Sequence, residues 1–289
     1  MNYASFVVPA GSKIQLKDYD PASTGEFRDR SEAQKKLEED IARLAGLQDV
    51  LYAQDRYALL IIFQGIDTAG KDGAIKHVMS GVNPQGVQVF AFKTPSAEER
   101  DHDFLWRHMK DLPERGRIGI FNRSYYEEVL VARVHPELLQ AEQIPPEART
   151  KDIWKHRYED INNVERYLVR NGILVMKFFL HLSKKEQKRR LLDRIDTPGK
   201  NWKYSSTDVE ERRYWSDYMR AYEDMLNHTS TAWAPWYIVP ADHKWFTRTV
   251  IADLIISKLK SLRLSYPTVS KEHKAELKKA KQMLERESR

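Results

Sequence analysis

The run Tyr57-Ala-Leu-Leu-Ile-Ile-Phe63 passes, after one residue, straight into Gly65-Ile-Asp-Thr-Ala-Gly-Lys-Asp-Gly73. The apolar run is far short of the 18 or more residues of a membrane span, but suits a strand buried on both faces. A glycine-bearing loop between such a strand and a helix can aim several backbone N–H groups at one anion, reinforced by the helix dipole. The rest of the chain must therefore supply helices to cover both faces of a parallel sheet.

The predicted elements do so. A helix from Ser31, with that serine as cap, runs through Leu37, Ile41, Leu44 and Leu47 to about Asp55. Strands are expected at 58–64, 87–92, 117–121, 173–180 and 236–239. Helices are expected at 71–80, 96–112, 148–171, 183–195, 207–228, 245–264 and 270–287. The alternation gives an α/β fold, a parallel sheet with helices on both sides, as one domain over 1–289 with an irregular extension at 1–29 lying over the core. Ligands of such sheets bind at the carboxyl ends of the strands. The loop 65–73, Lys93-Thr94-Pro95 and Asn122-Arg123-Ser124 all fall there.

Composition narrows the partners. The chain has 289 residues, 41% hydrophobic and 31% charged, as expected of a soluble globular protein. With no cysteine it has neither disulfides nor thiolate metal sites, which suits the cytoplasm. The first residues show no basic segment followed by an apolar one, so no signal peptide is expected. A net charge of +6 makes a polyanionic partner plausible, nucleic acid being one polyanion among several.

The loop departs from G-x-x-x-x-G-K-[ST]: Asp72 stands where a magnesium-binding hydroxyl is usual. Gly65, Gly70 and Gly73 let the backbone curl, and Lys71 brings a mobile charge. A tight turn with glycines for packing is the plainer account. Asp72 can simply cap the helix; alternatively, Asp67 and Asp72 beside Lys71 resemble a magnesium–phosphate site, since two carboxylates repel naked phosphate. After the third strand, Arg123 offers a planar donor fork to phosphate, or makes a structural salt bridge.

The runs GIDTAGKDG (65–73), GVNPQG (81–86), FKTPSAEERDHDFLWR (92–107), GRIGIFNRSYYEE (116–128), QKRRLLDRIDTPGKNWKYSSTD (187–208) and PWYIVPAD (235–242) resemble the polyphosphate kinase 2 family, over roughly residues 10–265. The resemblance implies a phosphate-loop kinase core similar to thymidylate kinase. It also implies reversible phosphoryl transfer between inorganic polyphosphate and nucleotides, with Mg2+ or in its place Mn2+. Asp67, Lys71, Arg123, Arg190 and Arg194 match positions that carry function in the family. Gly65, Thr68, Ala69, Gly70, Asp72, Gly73, Asn83, Lys93, Arg107, Asn122, Lys200 and Lys203 are the binding positions it suggests, and Asp67, Asp72 and Glu127 the metal ligands. Many relatives carry Asp at Asn122, which bears on the metal. Glu127 looks like the subgroup accepting both AMP and ADP, and the family suggests a homo-oligomer.

The segment 183–213 holds ten Lys/Arg against six Asp/Glu and reads as a basic lid. Leu191, Leu192 and Ile195 form one packing arc, leaving Arg190 and Arg194, one turn apart, to face an anion. A charged helix is otherwise simply solvated. The tail 271–289 reads as an exposed helix without a function. The nine histidines show no metal-ligand spacing; His77, His102 and His108 are expected on helix surfaces or as satisfied polar groups, and the seven tryptophans in the core. Two other functions compete: an ATP-dependent nucleotide kinase, which needs fewer basic residues in the lid, and a nucleic-acid binder, for which neither a stacking motif nor a base-reading helix appears.

Overall fold

A computed structural model describes residues 3–287; the outermost two positions of the extension 1–29 and of the tail 271–289 lie outside the described residues. Five strands form one sheet: β1 (Ala58–Gln64), β2 (Val87–Ala91), β3 (Ile118–Asn122), β4 (Ile173–His181) and β5 (Trp236–Pro240). Their order is β2-β3-β1-β4-β5 and every pairing is parallel, so all carboxyl ends share one edge. This is the α/β, phosphate-loop-kinase-like architecture expected from the alternation. β1 is central and entirely buried, which is why it reads as an unbroken apolar run.

The helices are α1 (Arg30–Gln54), α2 (Lys71–Val78), α3 (Ala97–Asp101), α4 (Trp106–Met109), α5 (Glu127–Val134) and α6 (Pro136–Ala141), then α7 (Ile153–Arg170), α8 (Lys184–Asp196), α9 (Ser206–Glu211), α10 (Trp215–Thr229), α11 (Lys244–Ser261) and α12 (Lys271–Glu287). α1 and α2 pack on α11, while α5 and α7 pack on α10, giving the two outer layers. α12 is exposed along its whole length. Among the described residues no helix is long and apolar enough to cross a membrane.

Several expectations change. The cap of α1 is Asp29, whose carboxylate accepts from Glu32 N at 2.9 Å, and not Ser31. The helix expected at 96–112 is two short pieces. The Ser96–Glu99 capping box starts the first, but His102 is extended and Asp103 Oδ1 accepts from Leu105 N (3.0 Å), a local bond that competes with helix. The 207–228 helix is likewise split, by a 3-10 turn at Arg212–Tyr214. α5 and α6 occupy a stretch for which the sequence signalled nothing.

The extension does more than lie over the core. Val8 N donates to Trp236 O (2.9 Å) and Ile238 N to Phe6 O (2.8 Å), so the segment lines the free edge of β5 and buries Phe6 and Val8. Trp236 is fully buried, whereas Trp202 is 79% exposed, so the tryptophans are not all core residues.

Candidate active site

The carboxyl edge of the sheet opens into a cavity of about 650 Å³. Its floor is the loop after β1. Gly65 takes φ 153°, and a Cβ there would stand 3.0 Å from Leu180 O, so only glycine fits against β4. Thr68 has φ 69°, uncommon for a residue with a side chain and strained enough to need outside support. Its Oγ1 is buried without a hydrogen-bond partner. Behind Gly70, at φ 108°, the first turn of α2 leaves the N–H groups of 71–73 without intrahelical acceptors. An orphaned hydroxyl beside orphaned amides suits a polyoxygen anion.

Lys71 is buried under this loop and donates to Gly65 O at 2.5 Å. Burial, and then the nearby Arg123 charge, pull its ammonium down to about 8. Two cross-links join the β3 loop to the phosphate loop: Asn122 Nδ2 donates to Asp72 Oδ1 (2.5 Å), and Arg123 pairs with Asp67 Oδ1 (2.5 Å). Arg123 also has a positive φ, 66°, fixed by its N–H donating to Phe63 O (3.1 Å). Glu127 stands behind it, 3.4 Å away, and is the main reason its guanidinium pKa is raised. Thus Arg123 does make salt bridges, and they aim it at the loop.

A buried polar cluster underlies this arrangement. Tyr125 and Tyr126 hydroxyls donate to Glu165 Oε1 (3.0 and 2.7 Å), and Lys177 Nζ donates to Glu165 Oε2 (2.6 Å), Tyr126 Oη (2.9 Å) and Thr229 O (2.7 Å). Glu165 and Lys177 are both completely buried, so each carries the other's charge compensation. The cluster fixes the two residues that follow Arg123 and Ser124.

Nine Lys/Arg line the cavity against three Asp: Lys71, Lys93, Arg123, Arg190, Arg194, Lys200, Lys203, Lys244 and Arg248 facing Asp67, Asp72 and Asp193. Lys244 and Arg248, one turn apart on α11, were not singled out from the sequence. Their signal was present, since a basic i,i+4 pair directly after β5 stands at the ligand-binding edge. Burial, then the neighbouring Arg190 and Arg248 charges, lower the Lys244 ammonium pKa. Cations held this close, in a partly dehydrated wall, favour an anion between them.

Other expected residues lie elsewhere. Asn83 is not brought to the cavity: it caps a 3-10 turn at the amino end of β2, accepting from Gln85 N (3.0 Å), because the parallel strand carries the chain away from it. Arg107 is buried behind the wall, donating to Lys93 O (2.8 Å) and lying over the Phe92 ring. On α8 the arc reading is corrected. Leu191 is buried, but Leu192 and Ile195 are 48% and 46% exposed, and the docked face is Ser183, Gln187 and Arg190. Arg194 instead pairs with Asp208 (2.9 Å) at the cavity. His108 is fully buried and neither ring nitrogen has a well-directed partner, so it is not a satisfied polar group; burial, then Arg107, pull its pKa down to about 3.

Among the described residues no three acidic or histidine side chains converge as a metal cage. Asp67 and Asp72 nevertheless both line the cavity beside the orphaned Thr68 hydroxyl. That donor set fits Mg2+, which keeps several waters and takes one or two carboxylates together with substrate phosphate oxygens.

The chain is similar to known proteins along most of its length. The chain is 51% identical to an ADP-polyphosphate phosphotransferase of Rhodopseudomonas palustris, over 96% of this chain and 97% of that one. It is 40% identical to an AMP/ADP-polyphosphate phosphotransferase of Meiothermus ruber, over 90% and 94%. The crystal structure of polyphosphate kinase 2 from Arthrobacter aurescens TC1 superposes with a TM-score of 0.87 at 40% identity, covering 94% of each chain. The profile of polyphosphate kinase 2 matches residues 27–266, so a phosphate loop that places Asp72 where a hydroxyl is usual has a family to which this chain belongs, polyphosphate kinase 2.

Proposed function

We propose that this chain transfers phosphoryl groups between inorganic polyphosphate and nucleoside mono- and diphosphates, forming ADP and ATP from AMP and ADP in a reversible reaction. The observation that carries the reading is the charge of the cavity, nine cations against three carboxylates around a phosphate loop. One bound triphosphate does not need that surplus; a linear polyanion does. An ATP-dependent nucleotide kinase is therefore the weaker alternative, and the names of the relatives agree.

Phosphoryl transfer asks little covalent chemistry of a protein: donor and acceptor oxygens must lie in line, and positive charge must meet the equatorial oxygens. The amides of the loop and Lys71 take the phosphoryl group being transferred, and Arg123, aimed by Asp67 and Glu127, meets it from the β3 side. Lys200, Lys203, Lys244 and Arg248 carry the remainder of the chain of phosphates, with Arg194 above. Asp67 and Asp72 would hold Mg2+, or Mn2+ in its place, which would supply further positive charge to the phosphates, and Glu127 would orient an acceptor phosphate or a second ion. Of the basic segment 183–213, the part beyond Leu191 serves as the closing piece of a single phosphate-loop unit and excludes water.

The test is direct. Protein, Mg2+ and ADP are incubated with polyphosphate, and ATP is measured; AMP then replaces ADP. ATP formed from polyphosphate, absent without it, is the expected result. Phosphorylation of the acceptor only when ATP is the donor would sink the proposal.

A further inference from the structure

The amino-terminal half of α8 is fastened to the phosphate loop. A guanidinium carries five N–H donors, and in Arg190 every one is engaged by the protein. Nε donates to Glu186 Oε1 (2.8 Å). One terminal nitrogen donates to Thr68 O (2.9 Å) and Ala69 O (3.0 Å), the other to Ala241 O (2.5 Å) and Asp242 O (3.1 Å). The side chain is only 4% exposed.

Two neighbours on the same helix face share the task. Ser183 N and Oγ donate to the Asp242 carboxylate (2.8 and 2.7 Å), and Gln187 Nε2 donates to Asp67 O (3.1 Å). α8 thus joins the loop after β1 to the loop after β5, which leads into Lys244 and Arg248. Thr68 takes its left-handed conformation where Arg190 grips its carbonyl. Because a trans peptide points C=O and N–H in opposite directions, holding the Ala69 carbonyl on Arg190 turns the Gly70 N–H away from it. Released, the same peptides could rotate and present carbonyl oxygens to a phosphate.

We infer that Arg190 is a positioning residue and not a phosphate ligand: its guanidinium holds back the carbonyls of Thr68 and Ala69, fixing the loop amides for polyphosphate and locking the first and last strand-end loops together. This rests on the function proposed above. It also sets where the lid can bend, beyond Leu191. Past that point two cavity cations are held by carboxylates, Arg194 by Asp208 and Lys200 by Asp193 (2.7 Å), partners that a phosphate can replace. Neither terminal nitrogen of Arg190 can turn to a phosphate without freeing the carbonyls of the β1 loop or those of the β5 loop.

Arg190→Lys keeps the charge, but one ammonium cannot span four carbonyls. Its kcat should fall by at least about a hundredfold, as small misplacements at a reacting centre do, while KM for polyphosphate stays within about threefold. Amide hydrogen exchange at residues 66–70 should quicken by about tenfold or more. A variant that keeps kcat within about fivefold, raises KM by more than about tenfold, or leaves that exchange unchanged overturns the inference. If the variant does not fold, the wild-type protein decides: crystals with Mg2+ and a short polyphosphate should show Arg190 still on Thr68 and Ala69. A guanidinium that has moved onto a phosphate overturns this inference alone. Polyphosphate bound away from the 65–73 loop overturns the proposed function.

Discussion

The ammonium of Lys71 gives the site a pH signature. Burial and the Arg123 charge favour its neutral form, so its pKa is about 8 in the folded protein against an ordinary 10.5. If the charged form is what meets the transferring phosphoryl group, the active fraction of free enzyme falls from about 90% at pH 7 to about 10% at pH 9. Above pH 8, kcat/KM for polyphosphate should therefore drop about tenfold per pH unit, since that parameter reports the unliganded enzyme. Bound phosphate favours the charged ammonium, so the break in kcat should lie at higher pH. Unfolding does not account for the loss: a lysine whose pKa is depressed on folding opposes folding at low pH, and this opposition is relieved as pH rises from 8 towards 10.5. Initial rates of ATP formation at constant ionic strength, from pH 6.5 to 9.5 at subsaturating polyphosphate, test the argument. Lys71→Arg should be slower but without the bend, because a guanidinium stays charged throughout the range. A wild-type profile flat to pH 9.5, or the same bend in the arginine variant, refutes the reasoning.

Other residues give separate outcomes. Lys71→Ala and Arg123→Ala should each lower kcat by about a hundredfold or more in the same assay, while Lys279→Ala, on the exposed α12, should change nothing. Combining Lys244→Gln with Arg248→Gln should raise KM for long polyphosphate, and flatten its dependence on salt, more than it lowers kcat; unchanged salt dependence would remove these two residues from the polyphosphate path. His108, at about 3 in the fold against 6.5, leaves stability untouched above pH 6.5 and opposes folding increasingly as pH falls from there towards 3. His108→Leu should therefore flatten the acid limb of a denaturant-melt series; an unaltered limb would show that the imidazole is not held neutral.

What the sequence disclosed follows from how local each cause is. The β1 run and the glycine loop are decided by neighbouring residues, and their boundaries come out within a residue. Asp67, Lys71 and Arg123 were found because each follows a strand in a sheet whose strands all point one way. The failures involve partners distant in sequence. Leu192 and Ile195 have the spacing of a buried arc, yet α8 docks through Ser183, Gln187 and Arg190, whose acceptors in the facing loops are the Asp242 carboxylate and backbone carbonyls up to 122 residues away. No periodicity encodes that surface. Asn83 belonged to a shared motif, and only the direction of β2 reveals that it sits at the opposite edge. Likewise, the isolation of His108 and the pairing of Glu165 with Lys177 are products of packing.

The strap along β5 has a consequence for how the molecule is made. Ser230 Oγ donates to Val8 O across 222 residues of chain, so the segment carrying Phe6 and Val8 must await partners translated more than 200 residues later. At about 5–20 residues per second the wait is roughly 10 to 45 s. Through that interval Phe6 and Val8 lack the β5 edge that shelters them in the finished fold.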